Sequence, residues 1–265
     1  MVIRNLLVKG EMMMRKKGTL RQILLITDGC SNQGSDPVAM AALASEQGIT
    51  VNVIGVLNEN MPEYHRQGLK EVEEIASAGG GISQIVYTKQ LSQTVQMVTR
   101  KAMTQTIQGV VNGELQQILG GKSTLDDLPP DKRGEVMEVV DELGETMDLE
   151  VLLLIDASGS MEDKMATVQE SLLDLSISLN SRIGDNQFAV CVFPGKKYDA
   201  ELLMDWSSRL ESVTKMLSQV ELGGITPTGP AIKEAISIFQ SRRSKRGLLS
   251  RDDEPRDGYF KESGM

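Results

Sequence analysis

The chain has 265 residues, of which 40% are hydrophobic, and a formal net charge of −9. This hydrophobic share is enough for a sizeable core, and the length fits one large domain or two small ones at about 150 residues per domain. The acidic balance argues against nucleic acid and anionic membranes as partners, because both are bound by basic surfaces.

The ends of the chain and its cysteines indicate a cytoplasmic protein. Residues 1–19 are basic, but their longest apolar run, LLV, is too short for a signal peptide or a membrane span. We expect a disordered extension here, and the methionine cluster at 12–14 leaves the true start codon open. Of the two cysteines, Cys30 and Cys191, the second lies in the apolar run FAVCVF, which predicts a reduced and buried thiol.

Strands and helices alternate from residue 20 to residue 104. The sequence predicts, in order, a strand in RQILLITDG, a helix from Pro37, a strand in ITVNVIGVL, a helix in LKEVEEIASAGG, a strand in ISQIVYT and a helix in LSQTVQMVTRKAM. This order, with apolar strands, is typical of a parallel sheet covered by helices on both faces.

Residues 105–148 interrupt the alternation. This stretch has no strand pattern, contains Pro129 and Pro130, and is mostly acidic and helix-prone, as in DKRGEVMEVVDELGE. Because a structureless loop of this length is uncommon inside a compact domain, we interpret it as an acidic helical linker.

Alternation resumes at Leu149. A strand in LEVLLLID precedes a helix with apolar residues on one face, and strands in NQFAVCVF and, at the edge, AELLMDW follow. Helices are then predicted in SRLESVTKMLSQV and from about Pro230, after the loop GGITPTG. Residues 241–265 have mixed charge and no periodicity, which predicts a disordered tail.

Neither half has enough strands for a sheet of its own. Joined, residues 20–104 and 149–240 provide about five or six strands, as in a common doubly wound sheet. We therefore predict an α/β fold with a doubly wound, mainly parallel, Rossmann-like sheet.

Three motifs carry oxygen ligands. One strand runs directly into DASGS, with Asp156, Ser158 and Ser160, and the first strand ends in TDG, with Asp28. Together with the loop GGITPTG, they resemble the von Willebrand factor A (vWA) domain with a metal-ion-dependent adhesion site. In that family the order is DxSxS, Thr, Asp. Here the Asp comes first, so the chain resembles a circularly permuted vWA domain, most similar to the YabS-like proteins of spore-forming bacilli.

The resemblance implies a metal site at the carboxyl ends of two neighbouring strands, where the strand order reverses. Oxygen ligands without His or Cys suit Mg²⁺, with Mn²⁺ as a substitute, better than zinc. The implied ligands are the hydroxyls of Ser158, Ser160 and Thr226, with Asp156 and Asp28 acting directly or through water. One position would stay open for an Asp or Glu of a protein partner.

One departure from the family pattern affects the ligand set. Ile225 is an extra residue between Gly224 and Thr226, which leaves open whether Thr226 or Thr228 is the ligand. Asn32 and Gly34, in the loop after the first strand, are expected to shape the neighbourhood of the site.

The proposed permutation is physically plausible because helix C-termini and strand N-termini share one face of such a sheet, where the ends of the domain lie close together. A swapped homodimer is the rival arrangement. The long linker favours closure within one chain, since its entropic cost grows only slowly with length.

Enzyme hypotheses fit less well. A haloacid-dehalogenase-type phosphatase needs a second Asp where Ser158 stands, and LGGKST at 119–124 lacks the first glycine of a phosphate loop, with Gln116 in its place. His65, the only histidine, gives little support to a catalytic triad. We predict a non-catalytic, metal-dependent protein-binding module. The alternatives are a regulatory subunit of an ATPase, as in magnesium-chelatase-like complexes, and, ranked below it, a metal-dependent phosphatase.

Overall fold

A computed structural model describes residues 18–29, 31–57, 66–119 and 124–252. The sequence-based expectations for residues 1–17, Cys30, His65, most of the LGGKST stretch and residues 253–265 lie outside this part of the chain. Within it, no helix is both long and apolar enough to cross a membrane.

The described chain forms a six-stranded sheet flanked by helices. The strands are β1 (Thr19–Thr27), β2 (Thr50–Leu57), β3 (Gly80–Tyr87), β4 (Asp148–Asp156), β5 (Asn186–Phe193) and β6 (Glu201–Ser207). The helices are α1 (Pro37–Glu46), α2 (Arg66–Ala78), α3 (Leu91–Leu119), α4 (Pro130–Thr146), α5 (Met165–Asn180), α6 (Val213–Leu217) and α7 (Thr228–Asp252).

The two halves of the chain meet in the middle of the sheet. The strand order is β3-β2-β1-β4-β5-β6, with β1 parallel to both β2 and β4, and β4 parallel to β5. Only the edge strand β6 is antiparallel. The predicted α/β fold with a mainly parallel sheet is confirmed. The strand order reverses between β1 and β4, which makes their carboxyl ends the expected ligand site.

Each face of the sheet has its own core because successive side chains of a strand point to opposite faces. On β4, Val151, Leu153 and Ile155 face the cluster that includes α3, α4 and α5. Leu152 and Leu154 face the cluster that includes α1, α2 and α7. A strand that is buried on both faces has a continuous apolar sequence, and the run VLLLI in β4 is an example.

The region expected to be a linker belongs to the helical layer. Helix α3 continues to Leu119, and α4 buries Val136, Val140 and Leu143 in the core beside it. The acidic residues of α4 lie mainly on its other faces. The acidic composition of the stretch therefore gave no indication that one side of the helix is apolar and buried.

The tail is ordered further than predicted. Helix α7 runs to Asp252, so the expected disorder is wrong for residues 241–252. Arg242 explains part of this helix's extension: its Nε donates to Glu150 Oε1 at 2.7 Å, and its guanidinium lies 4.5 Å from the centre of the Trp206 ring. These contacts tie the charged segment to the sheet. The helix predicted in SRLESVTKMLSQV is reduced to the short α6.

Cys191, on β5, is fully buried, as the apolar run around it predicts. Burial raises the pKa of its thiol to about 12. The thiol therefore stays protonated at neutral pH, and a protonated thiol is a poor nucleophile and metal ligand.

We predict that residues 124–252, expressed alone, aggregate, because β4 would present an unpaired and apolar edge where β1 now pairs with it. Co-expression with residues 18–119 should yield a soluble complex of the two fragments. Size-exclusion chromatography with light scattering measures both outcomes. A monomeric 124–252 fragment that unfolds cooperatively would contradict the single shared sheet.

Candidate metal centre

The pairing of β1 with β4 brings the ends of the two motifs together. The strands are in register up to Ile26 and Ile155, so the TDG turn lies beside the start of DASGS. Asp28 and Asp156 are both buried. The structure thus brings together the two carboxylates that the sequence analysis placed at neighbouring strand ends.

Asp156 is held in a fixed orientation at the end of β4. Its side chain is fully buried, its Oδ2 accepts a 2.6 Å hydrogen bond from Thr27 Oγ1, and its Oδ1 accepts one of 2.8 Å from the Ser158 backbone N–H. Burial raises the pKa of this carboxyl, the hydrogen bonds from Thr27 and Ser158 oppose the rise, and the charge of Asp28 adds to it. A bound cation would favour the charged form.

The DASGS turn links the two halves of the chain through hydroxyl groups. Ser160 Oγ donates to Asp28 Oδ1 at 2.8 Å and lies 3.1 Å from Ser158 Oγ. Ser160 gives its one hydroxyl proton to Asp28, so the Ser158 hydroxyl can donate its own proton to Ser160 Oγ or to the Asp156 carboxylate. Both lone pairs of the Ser158 oxygen therefore remain available, as does one of the Ser160 oxygen.

Lys164 is the residue of this cluster that the sequence analysis missed. It ends the short 3₁₀ helix Gly159–Lys164, its side chain is 0% exposed, and its Nζ pairs with Asp28 Oδ2 and donates to the Ser160 carbonyl at 2.9 Å. The sequence places Lys164 four residues after Ser160, which is the one signal that could have pointed to a contact between them. Lysines are rarely fully buried, however, so no pattern pointed to it.

The loop that carries Thr226 is fastened to the loop after β1. The Thr226 backbone N–H donates to Asn32 Oδ1 at 2.7 Å, and the Asn32 backbone N–H donates to the Thr226 carbonyl at 3.1 Å. Gly34 lies against Pro230 and has a φ of +91°, and a Cβ at this position would be 2.3 Å from Pro230 Cγ. Only glycine fits there, so Asn32 and Gly34 do shape the loop.

Both threonines of the TPT sequence are buried. Thr226 is 7% exposed and Thr228, at the start of α7, is 2% exposed. The Thr228 hydroxyl oxygen has no hydrogen-bond partner among the described residues. A buried hydroxyl without a partner is uncommon and would be satisfied by water or by an ion. The choice between the two threonines stays open.

The donor set fits a hard cation. Among the described residues, no group of three or more His, Cys, Asp and Glu side chains is placed to hold a metal. The candidate site instead combines two carboxylates with two serine hydroxyls, and the loop with the two threonines is fastened to the loop after β1. Mg²⁺ is bound in proteins by few carboxylates and keeps several waters, so this set suits it.

Comparison with known proteins defines the class. Residues 151–253 and residues 1–101 each match a model of the von Willebrand factor type A domain. The chain therefore belongs to the von Willebrand factor type A family. It is 62% identical over 248 residues to the uncharacterized protein YabS of Bacillus subtilis, a match that covers 94% of this chain and 99% of YabS.

A solved structure extends the comparison to the fold. The crystal structure of an uncharacterized protein from Alicyclobacillus acidocaldarius is 41% identical and has a TM-score of 0.79. The match covers 87% of this chain and 97% of that one.

The raised pKa of Asp156 predicts a pH-dependent effect of Asp156→Asn in the metal-free protein. A carboxyl whose pKa is raised on folding contributes stability that is complete below its unfolded pKa and is lost as the pH rises through its folded pKa. Asparagine does not titrate. The free energy of unfolding of Asp156→Asn, relative to wild type, should therefore increase as the pH rises above the ordinary pKa of an aspartate.

Urea denaturation in EDTA measures this difference. Asp163→Asn changes an exposed carboxyl in the same turn and serves as the control, which should lack the trend. A relative stability of Asp156→Asn that falls as the pH rises would show that Asp156 is not a destabilising buried charge.

Proposed function

We propose that this protein is a non-catalytic, metal-dependent protein-binding module. Mg²⁺, for which Mn²⁺ can substitute, would be held at the carboxyl ends of β1 and β4 and would recruit an Asp or Glu side chain of a partner protein. The observation that carries the proposal is the connected oxygen cluster of Asp156, Ser158, Ser160 and Asp28, built from both halves of the chain.

The hydrogen bonds assign different tasks to these side chains. Ser158, Ser160 and one of the two threonines would hold the ion through hydroxyl oxygens. Both oxygens of each carboxylate already accept hydrogen bonds from the protein, which favours action through water and through orientation of the hydroxyls. By accepting the Ser160 proton, for example, Asp28 leaves a lone pair of Ser160 available for the ion.

The bound ion would supply a Lewis-acidic position for a carboxylate. Because few protein charges would contact the ion directly, its charge would be compensated only in part. An acidic side chain from a partner is the ligand that this arrangement favours. The net charge of −9 makes nucleic acid and anionic membranes unsuitable partners.

The proposal includes the permuted order of the motifs. Counted from β4, the chain presents DxSxS, then Thr226, then Asp28, which is the order of the family. Since β1 and β4 of the same chain pair with each other, one chain can complete the site without a second copy.

The proposal predicts that Asp156→Ala loses metal binding and keeps its fold. Isothermal titration of Mn²⁺ into wild type should show a single site, and Asp156→Ala should bind at least about 10-fold to 100-fold more weakly, the range typical of residues that orient metal ligands. The β4 strand beneath the residue remains apolar and packed, so the circular dichroism spectrum should not change.

Asp163→Ala is the matched control, since it removes the same charge from an exposed position in the same turn. It should bind Mn²⁺ as wild type does. The proposal is wrong if wild type binds no Mn²⁺, or if Asp156→Ala binds it equally well. Turnover of a generic phosphomonoester by wild type, lost in Asp156→Ala, would favour the phosphatase alternative.

A further inference from the structure

Lys164 introduces a positive charge into a site expected to bind a cation. Its side chain is 0% exposed and that of Asp28 is 1% exposed, so the ion pair between them is removed from solvent. Burying a charge is costly unless it is paired and hydrogen-bonded, and Lys164 is both, through Asp28 and the Ser160 carbonyl. The ammonium of Lys164 is therefore a fixed part of the oxygen cluster, as the two carboxylates are.

The charges of the cluster can be counted. With both carboxyls in the charged form that a bound cation favours, Asp28 and Asp156 contribute two negative charges and Lys164 contributes one positive charge, so the protein's share is one net negative charge. A divalent cation would change this to one net positive charge, which a single carboxylate from outside would neutralise. Without Lys164, the two carboxylates alone would neutralise the cation, and no charge would remain to attract an anion.

We propose that Lys164 is a built-in counter-charge that makes tight metal binding depend on a carboxylate supplied by the partner. This inference rests on the proposed function and adds its regulation: metal and acidic ligand would bind cooperatively. Buried charges are screened little by salt, so a charge at this position acts strongly on a neighbouring ion.

The position of Lys164 supports this role over a purely structural one. Lys164 Nζ pairs with Asp28 Oδ2 and Ser160 Oγ donates to Asp28 Oδ1, so the negative charge of Asp28 is already partly compensated within the protein before an ion binds. Lys164 contacts the carbonyl of Ser160, and it pairs with Asp28, whose carboxylate orients the Ser160 hydroxyl. Lys164 therefore acts on the metal through Asp28 and is a positioning residue.

The test is isothermal titration of Mn²⁺ into the full chain, in chloride and in acetate at equal ionic strength, with acetate as the probe for a partner's carboxylate. Wild type should bind Mn²⁺ at least about fivefold more tightly in acetate, the lower end of typical coupling between two ligands. Lys164→Met should bind at least about tenfold more tightly than wild type in chloride, since a neighbouring positive charge has been removed, and should show no dependence on acetate.

Three further variants separate charge from packing. Lys233→Met removes an exposed lysine of α7 and should behave as wild type in both buffers. Lys164→Arg keeps the charge and should keep the acetate dependence. The double variant Asp28→Asn with Lys164→Met leaves the net charge of the cluster unchanged and removes the buried pair as a unit, so it should fold and recover the acetate dependence.

Thermal melts show whether the variants fold. Lys164→Met leaves Asp28 buried without its partner and should melt at a lower temperature than wild type in EDTA. Addition of Mn²⁺ should raise its melting temperature by more than that of wild type. If this variant does not fold in EDTA, its recovery of a cooperative melt on addition of Mn²⁺ in chloride carries the test, and failure to recover it would contradict the inference.

The outcomes distinguish this inference from the proposed function. If wild type binds Mn²⁺ without dependence on acetate, or if Lys164→Met binds it in chloride with wild-type affinity, Lys164 is structural and the inference is wrong while the metal site stands. If Lys164→Met binds Mn²⁺ in chloride while wild type binds it only in acetate, the counter-charge is confirmed in its strongest form. If neither binds it, the proposed function and the inference are both wrong.

Discussion

The parallel pairing of β1 with β4 is the contact on which the rest of the structure depends. It joins two segments that are far apart in the chain into one sheet and places the reversal of strand order at their common edge. Polar contacts fasten the pair at both ends. Arg21 Nε donates to Glu150 Oε2 at 3.2 Å near the start of the strands, and Thr27 Oγ1 donates to Asp156 Oδ2 at 2.6 Å near their carboxyl ends.

The same pairing generates the chemistry of the candidate site. Neither half holds the full set of groups: the back half supplies Asp156, Ser158 and Ser160, and the front half supplies Asp28 and the loop that fastens Thr226. Folding and assembly of the site are therefore one event. The cluster is buried, and electrostatic interactions are stronger in the low dielectric of a protein interior than in water. The loss or gain of one charge in the cluster should therefore have a large effect on which ligands the site binds.

The sequence predicted the parts of this structure that depend on local pattern. Apolar runs that end in a carboxylate identified β1 and β4, and oxygen ligands at their ends indicated a hard-metal site. What the pattern could not show depends on tertiary contacts: Lys164 is buried because Asp28 and Ser160 receive its ammonium, and α7 extends beyond residue 241 while Arg242 contacts Trp206 and Glu150. No sequence pattern singles out Lys164, and the mixed charge of residues 241–265 predicts disorder there.

The central claim is that residues from both halves of the chain hold one metal ion at the edge shared by β1 and β4. The most direct measurement is a crystal structure grown with Mn²⁺, with data collected to give its anomalous signal. The account predicts a single anomalous peak within coordination distance of the Ser158 and Ser160 hydroxyls and of a threonine in the 226–228 loop. A peak elsewhere, or none at this edge in crystals that contain Mn²⁺, would contradict it.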